Sequence, residues 1–179
     1  MTAAPLDLRP SAGLAALDVS LRAQVGQDQA FCRRLYGANR AAEVDQAPWD
    51  AATKALFLDQ QFAAQSAHLE SHRPDADYLI VQRGETPIGR LYIDREETGE
   101  GWRIVEIALL PDAAGKGIGR ALIGWVIDRA SHAGATSVDL HVATDNDTAI
   151  AFYHRNDFVD VPSAFDSHRR LSRAIDCIS

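Results

Sequence analysis

The spacing of apolar and polar residues changes several times along the chain, and each change predicts a new element of secondary structure. Apolar and polar side chains alternate over residues 17–23, which is typical of a strand with one buried face. Two helices are predicted next. The first opens at Asp28 or Gln29, and the second begins after Asp50, a favourable N-cap, and ends before Pro74.

After the second helix the period shortens to that of strands. Residues 78–82 and 88–93 flank a turn at residues 83–85 and predict a β-hairpin. The remaining pattern predicts a strand over 102–110, a helix over 117–132, a strand over 138–142, a helix opened by a capping box of Thr144 and Asp147, and short strands near 158–159 and 171–175. This order indicates a single α/β domain over residues 1–179, of which residues 1–15 form an N-terminal extension or a short cap.

The composition is that of an ordinary globular domain, with 46% hydrophobic and 24% charged residues in 179. The net charge of −7 argues against binding to nucleic acid and favours cationic or neutral acceptors. No apolar run reaches membrane-spanning length and the first residues lack a secretory signal, so we expect a cytoplasmic protein without membrane partners. Cys32 and Cys177 are interpreted as reduced thiols. The sequence does not decide whether the chain forms a homodimer.

The most informative segment joins an apolar strand to a helix through a glycine-spaced loop. The strand covers residues 104–110, and Gly115, Gly117 and Gly119 follow at every second position before the helix. Glycine lets the backbone approach a diphosphate, and the first amides of a helix have no carbonyl partner and carry a partial positive charge. The junction therefore predicts a phosphate-binding site.

This segment resembles the acyl-CoA-binding motif of the GNAT superfamily of N-acetyltransferases, whose pattern is Gln or Arg, two residues, Gly, one residue, then Gly or Ala. The chain departs from the pattern at Ala114, where the family usually has a long polar side chain. The resemblance implies a three-layer α/β/α fold around a central mixed, mostly antiparallel sheet. It also implies acetyl-CoA as co-substrate, no metal, and direct transfer of an acetyl group to a primary amine of a small molecule or peptide.

The resemblance also implies how the coenzyme is held. Backbone groups of the motif strand bind pantetheine, amides of the loop and helix start bind the diphosphate, and an asparagine side chain contacts the pantetheine arm. The coenzyme-binding residues implied are Leu109, Leu110, Gly115, Lys116, Gly117, Ile118, Gly119, Arg120 and Asn146.

Glu106 is a carboxylate within an otherwise apolar strand, and burying a charge without compensation costs several kcal/mol. Acetyl transfer to an amine requires a base that removes the ammonium proton, a role that a glutamate on this strand often has in the family. The alternative is a structural ion pair with Arg90 or Arg103. Both interpretations stay open at this point.

Tyr153 lies in a segment that resembles the second motif of the family, which has Asn, two residues, Ala, two residues, an aromatic residue and Tyr, then a turn and Phe. A phenol there can return a proton to the departing CoA thiolate. The alternative is a core aromatic residue. Asp157 replaces the usual glycine of the turn, and Asp tolerates the left-handed conformation.

The acceptor pocket is harder to predict. Polar and aromatic side chains along the two early helices either line this pocket or serve only packing; they are Tyr36, Arg40, Trp49, Gln61 and Gln65. Two rival sites are weak: a dinucleotide fingerprint completed by Asp139, and a metal site on His68 and His72.

The sequence thus favours an acetyl-CoA-dependent N-acetyltransferase with Glu106 and Tyr153 as catalytic residues. The alternative function is a non-catalytic acyl-CoA-binding or regulatory module. The identity of the amine is not encoded in any motif of the chain.

Overall fold

The computed structural model describes residues 4–95 and 101–176. Cys177 lies outside these residues. Within them, no helix combines the length and hydrophobicity needed to cross a bilayer.

The described strands form one sheet in the order β1-β2-β3-β4-β5-β7-β6. Its pairings are antiparallel except for the parallel pair β4 and β5. This arrangement confirms the predicted mixed, mostly antiparallel sheet. The strands are β1 Val19–Ala23, β2 Asp77–Arg83, β3 Thr86–Arg95, β4 Gly101–Leu109, β5 Ser137–Ala143, β6 Val159–Val161 and β7 His168–Ala174.

The helices cover both faces of the sheet. They are α1 Ala12–Ala16, α2 Gln29–Val44, α3 Ala51–His72, α4 Ile118–His132 and α5 Asp147–His154, with short 3-10 turns at Gly26–Asp28 and Pro111–Ala113. On one face, side chains of α1, α4 and α5 pack with the sheet into the larger core, and on the other face α2 and α3 enclose a smaller one. The predicted three layers are therefore present.

The N-terminal segment packs against α4. Leu14 of α1 is completely buried in the larger core, and the indole of Trp125 donates to the carbonyl of Arg9 at 2.9 Å. The N-terminal segment therefore packs onto the domain through Arg9 and Leu14.

Strand β4 carries a bulge in its middle. Tyr92 of β3 pairs with Glu106, but the next residue, Ile93, pairs with Ile104, so Val105 is the extra residue. A bulge bends its strand and increases the local twist.

Strands β4 and β5 separate at this bulge. Their parallel pairing runs from Gly101 with Ser137 to Ile104 with Leu140 and stops there, although β4 continues to Leu109 and β5 to Ala143. The two strands therefore form a V, and the second half of β4 borders a cleft instead of a neighbouring strand.

On the side away from the cleft, the second half of β4 packs closely against β3 at Gly89. A Cβ atom at Gly89 would collide with the carbonyl oxygen of Ala108 and lie 3.2 Å from the Cα of Leu109. Both contacts are with backbone, which cannot move aside as a flexible side chain can. The close approach of β3 to β4 at this point therefore requires glycine.

We expect Gly89→Ala to lower the free energy of unfolding by about 1–3 kcal/mol, the usual cost of forcing extra atoms into a packed region. Urea titration measures this change. The control is Gly124→Ala, at an exposed position of α4 where an added Cβ meets nothing within 4 Å. Because alanine is the better helix former, this control raises stability by up to about 1 kcal/mol. An unchanged unfolding midpoint for Gly89→Ala would contradict the close approach.

Candidate active site

The V between β4 and β5 opens into a cleft of about 910 Å³. Its walls come from the second half of β4, the loop before α4, the junction between β5 and α5, and one face of α2. The cleft therefore collects most of the residues that the two sequence motifs predicted.

The glycine loop has the conformation that glycine permits. Gly115 and Gly117 have φ values of 71° and 81°, in the left-handed region. Gly117 is the N-cap of α4 and has no side chain to bond the first amides of the helix. Gly117, Gly119 and Arg120 line the cleft. Unpaired amides, the positive end of the helix dipole and one arginine make this wall suited to an anion.

The other predicted loop residues contribute differently. Ile118 is completely buried in the larger core, so only its backbone can serve a ligand, while the Lys116 side chain is exposed. A Cβ at Gly119 would lie 3.1 Å from the ring of Phe152, which shows how closely α5 packs on this turn.

The hydrogen-bonding pattern between β3 and β4 shows which backbone groups of β4 are left for the cleft. The amide of Leu110 donates to the carbonyl of Ile88 at 2.8 Å, on the β3 side. Because backbone groups alternate sides along an antiparallel strand, those of Leu109 and Ile107 point away from β3, toward the cleft. Of the two strand residues predicted to bind the coenzyme, Leu109 thus presents its amide to the cleft and Leu110 uses its amide in the sheet.

Asn146 lies at the β5 side of the cleft, where it caps α5. Its side-chain oxygen accepts from the amide of Ala149 at 3.1 Å, and the side-chain NH₂ group carries the hydrogens available to a ligand. The predicted capping box is wrong, because Asn146 is the N-cap and the hydroxyl of Thr144 donates to the carbonyl of Ser167 instead.

Glu106 lines the cleft and forms an ion pair with Arg90. Its Oε2 lies 2.7 Å from Nη2 of Arg90, whose side chain is only 2% exposed. The alternative partner, Arg103, binds Asp139 at 3.0 Å. The structural ion pair considered from the sequence is therefore present, with Arg90, and it leaves Glu106 on the wall of the cleft.

Arg90 is held from several sides. Its Nη2 donates to Gln65 at 2.8 Å and its Nη1 to the hydroxyl of Tyr92 at 3.4 Å, and that hydroxyl donates to Gln24 at 2.6 Å. The guanidinium also lies 4.9 Å from the centre of the Tyr92 ring. These contacts hold Arg90, and through it Glu106, between the sheet and the α2–α3 layer.

Tyr153 is partly buried between the rings of Phe152 and Phe158, with centroid distances of 5.2 and 5.7 Å. Burial, with a smaller contribution from the Glu106 carboxylate, raises the pKa of Tyr153 to about 12. The phenol is therefore protonated at neutral pH, as a proton donor must be. Asp157 has a φ of 65°, which confirms the left-handed turn expected after this helix.

The predicted acceptor residues divide into two groups. Tyr36 and Arg40 line the cleft from α2. Trp49 is 43% exposed and packs on Phe57, Gln61 is exposed on α3, and Gln65 binds Arg90. The structure brings only the α2 pair to the cleft wall, with Gln65 behind it.

The sequence interpretation missed Asn39 and Glu43, which line the same wall. The signal was available, because positions 36, 39, 40 and 43 follow the three- and four-residue spacing of one helix face.

The two rival sites find no support. Asp139 is bound by Arg103 and by Arg170, so it is not free to bind a ribose. His68 and His72 stack with a centroid distance of 4.1 Å, and within residues 4–95 and 101–176 no group of three or more metal-ligating side chains occurs.

Comparison with known proteins agrees with this geometry. The sequence model of the Acetyltransferase (GNAT) family matches residues 34–158. Mycothiol acetyltransferase of Brachybacterium faecium is 33% identical over 119 residues, which are 61% of this chain and 36% of that protein. The IAA acetyltransferase of Azospirillum brasilense is 29% identical over 108 residues, 58% of this chain and 71% of that protein. The chain thus spans about a third of the length of the first of these relatives.

Solved structures share the fold. The PaiA N-acetyltransferase from Thermoplasma acidophilum, in complex with coenzyme A, has a TM-score of 0.66 and 14% identity, over 87% of this chain and 98% of that chain. The spermidine N-acetyltransferase from Vibrio cholerae, in complex with CoA and spermine, has a TM-score of 0.64 and 19% identity, over 90% of this chain and 98% of that chain. The match of the family model covers both motifs and most of the cleft, and with it the chain belongs to the Acetyltransferase (GNAT) family, in which acetyl transfer is the general activity.

Proposed function

We propose that this chain transfers an acetyl group from acetyl-CoA to a primary amine by direct attack of the amine on the thioester. The observation that carries the proposal is the separation of β4 from β5 directly beside the start of α4. This arrangement offers free backbone groups and an anion-binding helix terminus to the same cleft, which suits the pantetheine arm and the diphosphate of one coenzyme.

In the proposed complex the diphosphate lies against the amides at Gly117 and Gly119, with Arg120 beside it. The pantetheine arm follows β4 past Leu109 and contacts Asn146 on the opposite wall. Two structural neighbours are CoA complexes by their own description, which supports this placement.

In the proposed reaction the carboxylate of Glu106 accepts a proton from the ammonium, directly or through a water molecule. The free amine forms a C–N bond with the acetyl carbon, and the C–S bond breaks with its electron pair on sulfur. Tyr153 donates its phenolic proton to the thiolate, and the phenolate recovers the second proton that the newly acylated nitrogen gives up, directly or through water, while Glu106 releases its proton to solvent. The products are the acetylated amine and free CoA.

The Arg90–Glu106 ion pair favours a second candidate, a module that binds acyl-CoA without turnover, because the candidate base is engaged by a buried cation. Both candidates predict coenzyme binding in the cleft. They differ in whether an amine causes thiol release.

We expect Gly117→Asp to abolish the rise in melting temperature that acetyl-CoA causes, because it puts bulk and negative charge against the diphosphate. The matched control is Gly134→Asp, since Gly134 has the same φ of 81° just after the other end of α4. Both variants carry similar backbone strain, so only the response to acetyl-CoA distinguishes them. A full response in the Gly117 variant would contradict the diphosphate site.

We expect Glu106→Gln to lower kcat by ~10²-fold or more, the scale of losing a general base. Breaking a buried ion pair also lowers stability, by up to about 3–5 kcal/mol, so kcat is measured well below the unfolding temperature of the variant. Arg90→Met breaks the same ion pair but keeps the carboxylate, and it retains a larger share of kcat. Equal losses in the two variants would assign Glu106 a structural role only.

We expect Tyr153→Phe to lower turnover while acetyl-CoA affinity stays close to that of the wild type, because the ring and its packing remain. Titration calorimetry gives the affinity, and thiol release with a panel of amines gives the turnover. Tyr78→Phe is the control, since this hydroxyl donates to the carbonyls of Leu69 and Arg73 behind α3. Wild-type turnover in Tyr153→Phe would contradict the acid role, and a silent wild type would favour the binding module.

A further inference from the structure

One face of α2 forms the acceptor end of the cleft. Tyr36, Arg40 and Glu43 line the cleft together with Arg90 and Glu106. The diphosphate wall at the start of α4 belongs to the coenzyme, so these side chains are the ones that the amine substrate meets.

Each acid at this end lies close to an arginine. Glu106 lies 2.7 Å from Arg90, and Glu43 lies 3.8 Å from Arg40. An ammonium group that approaches Glu106 therefore also approaches the buried guanidinium of Arg90, and the repulsion offsets much of the attraction. A polyamine, which brings several positive charges, is poorly matched to a wall whose acids are already paired.

A ligand that carries both signs of charge matches this wall better. Within the described residues, Arg90 Nε is buried without a hydrogen-bond partner, and the buried Glu106 Oε2 has the Arg90 guanidinium 2.7 Å away. The ion pair therefore presents a carboxylate and a guanidinium with one unused donor side by side, which are groups of both signs.

Arg40 is the accessible cation on this wall. Its side chain is 44% exposed, and its guanidinium lies 4.5 Å from the centre of the Tyr36 ring. Stacking on an aromatic ring orients the planar fork of an arginine, and this fork binds a carboxylate through two parallel hydrogen bonds. Glu43 at 3.8 Å is a loose partner that a substrate carboxylate can replace.

We propose that the acceptor is a primary amine that also carries a carboxylate, as a free amino acid does. Glu106 receives the ammonium group and Arg40 binds the carboxylate. The proposal rests on the proposed N-acetyltransferase function and adds the substrate class. Such an acceptor is neutral overall, which fits the paired charges of the wall.

The test compares amino acids with the amines that remain after loss of the carboxylate, such as phenylalanine with phenethylamine and lysine with cadaverine. Spermidine is included as a polyamine. Thiol release from acetyl-CoA gives kcat/KM for each compound. We expect at least one amino acid to exceed its matched amine, and spermidine, by roughly 10-fold or more, the scale of one good ion pair to the carboxylate.

Arg40→Met removes this advantage by raising KM for the amino acid while leaving the matched amine almost unchanged. The control is Arg34→Met on the same helix, because Arg34 also stacks on an aromatic ring, that of Phe31 at 5.4 Å. This control removes the same charge and retains the preference for the amino acid.

Three outcomes overturn the proposal in different ways. Wild-type protein that acetylates the decarboxylated amines or spermidine at least as well refutes the substrate class and leaves the N-acetyltransferase function intact. A preference for amino acids that survives in Arg40→Met refutes the role of Arg40. No thiol release with any compound of a broad amine panel refutes the N-acetyltransferase function, and the acceptor class with it.

Discussion

The separation of β4 from β5 is the constraint on which the rest of the structure depends. Backbone amides and carbonyls without partners are costly once they leave water, so a strand that loses its neighbour must face solvent or a ligand. The bulge at Val105 bends β4 away from β5, and Gly89 allows β3 to approach it closely from the other side. The strand is thus held firmly along one edge and left open along the other.

The same strand contributes to both cores of the domain. Ile107 and Leu109 pack with the core that contains α4, whereas Ala108 and Leu110 pack with the core under α2 and α3. Because side chains alternate along a strand, β4 presents one set of residues to the side of α4 and the other to the side of α2 and α3. Glu106 belongs to the set that faces α2 and α3, as does its partner Arg90 of the neighbouring strand.

The sequence predicted most elements correctly because their signals are local. Asp50 caps α3 through the amide of Thr53 at 2.7 Å, and Gly117 and Gly134 mark the two ends of α4. The burial of Leu14 against α4 could not be predicted, since it depends on a contact between distant parts of the chain. The separation of β4 from β5 could not be predicted either, because the register of a parallel pair of strands is set by the whole sheet.

Prediction of the site was also limited to features with a local sequence signal. The spacing of the glycines predicts the loop, whereas the ion-pair partner of Glu106 could not be assigned from the sequence, since Arg90 lies on the neighbouring strand β3, Arg103 lies on β4 itself, and only the folded sheet decides between them. On the α2 wall of the cleft, Tyr36 and Arg40 share a helix face that reaches the cleft, whereas Gln65 of α3 reaches it only through Arg90. Arg90 thus links Gln65 of α3 to Glu106 of β4, and Arg40 and Glu43 of α2 line the same cleft, so the charges on this wall come from α2, β3 and β4. Under the proposed function, specificity for the amine follows from tertiary packing, which is why the sequence motifs point to the coenzyme loop and leave the acceptor undefined.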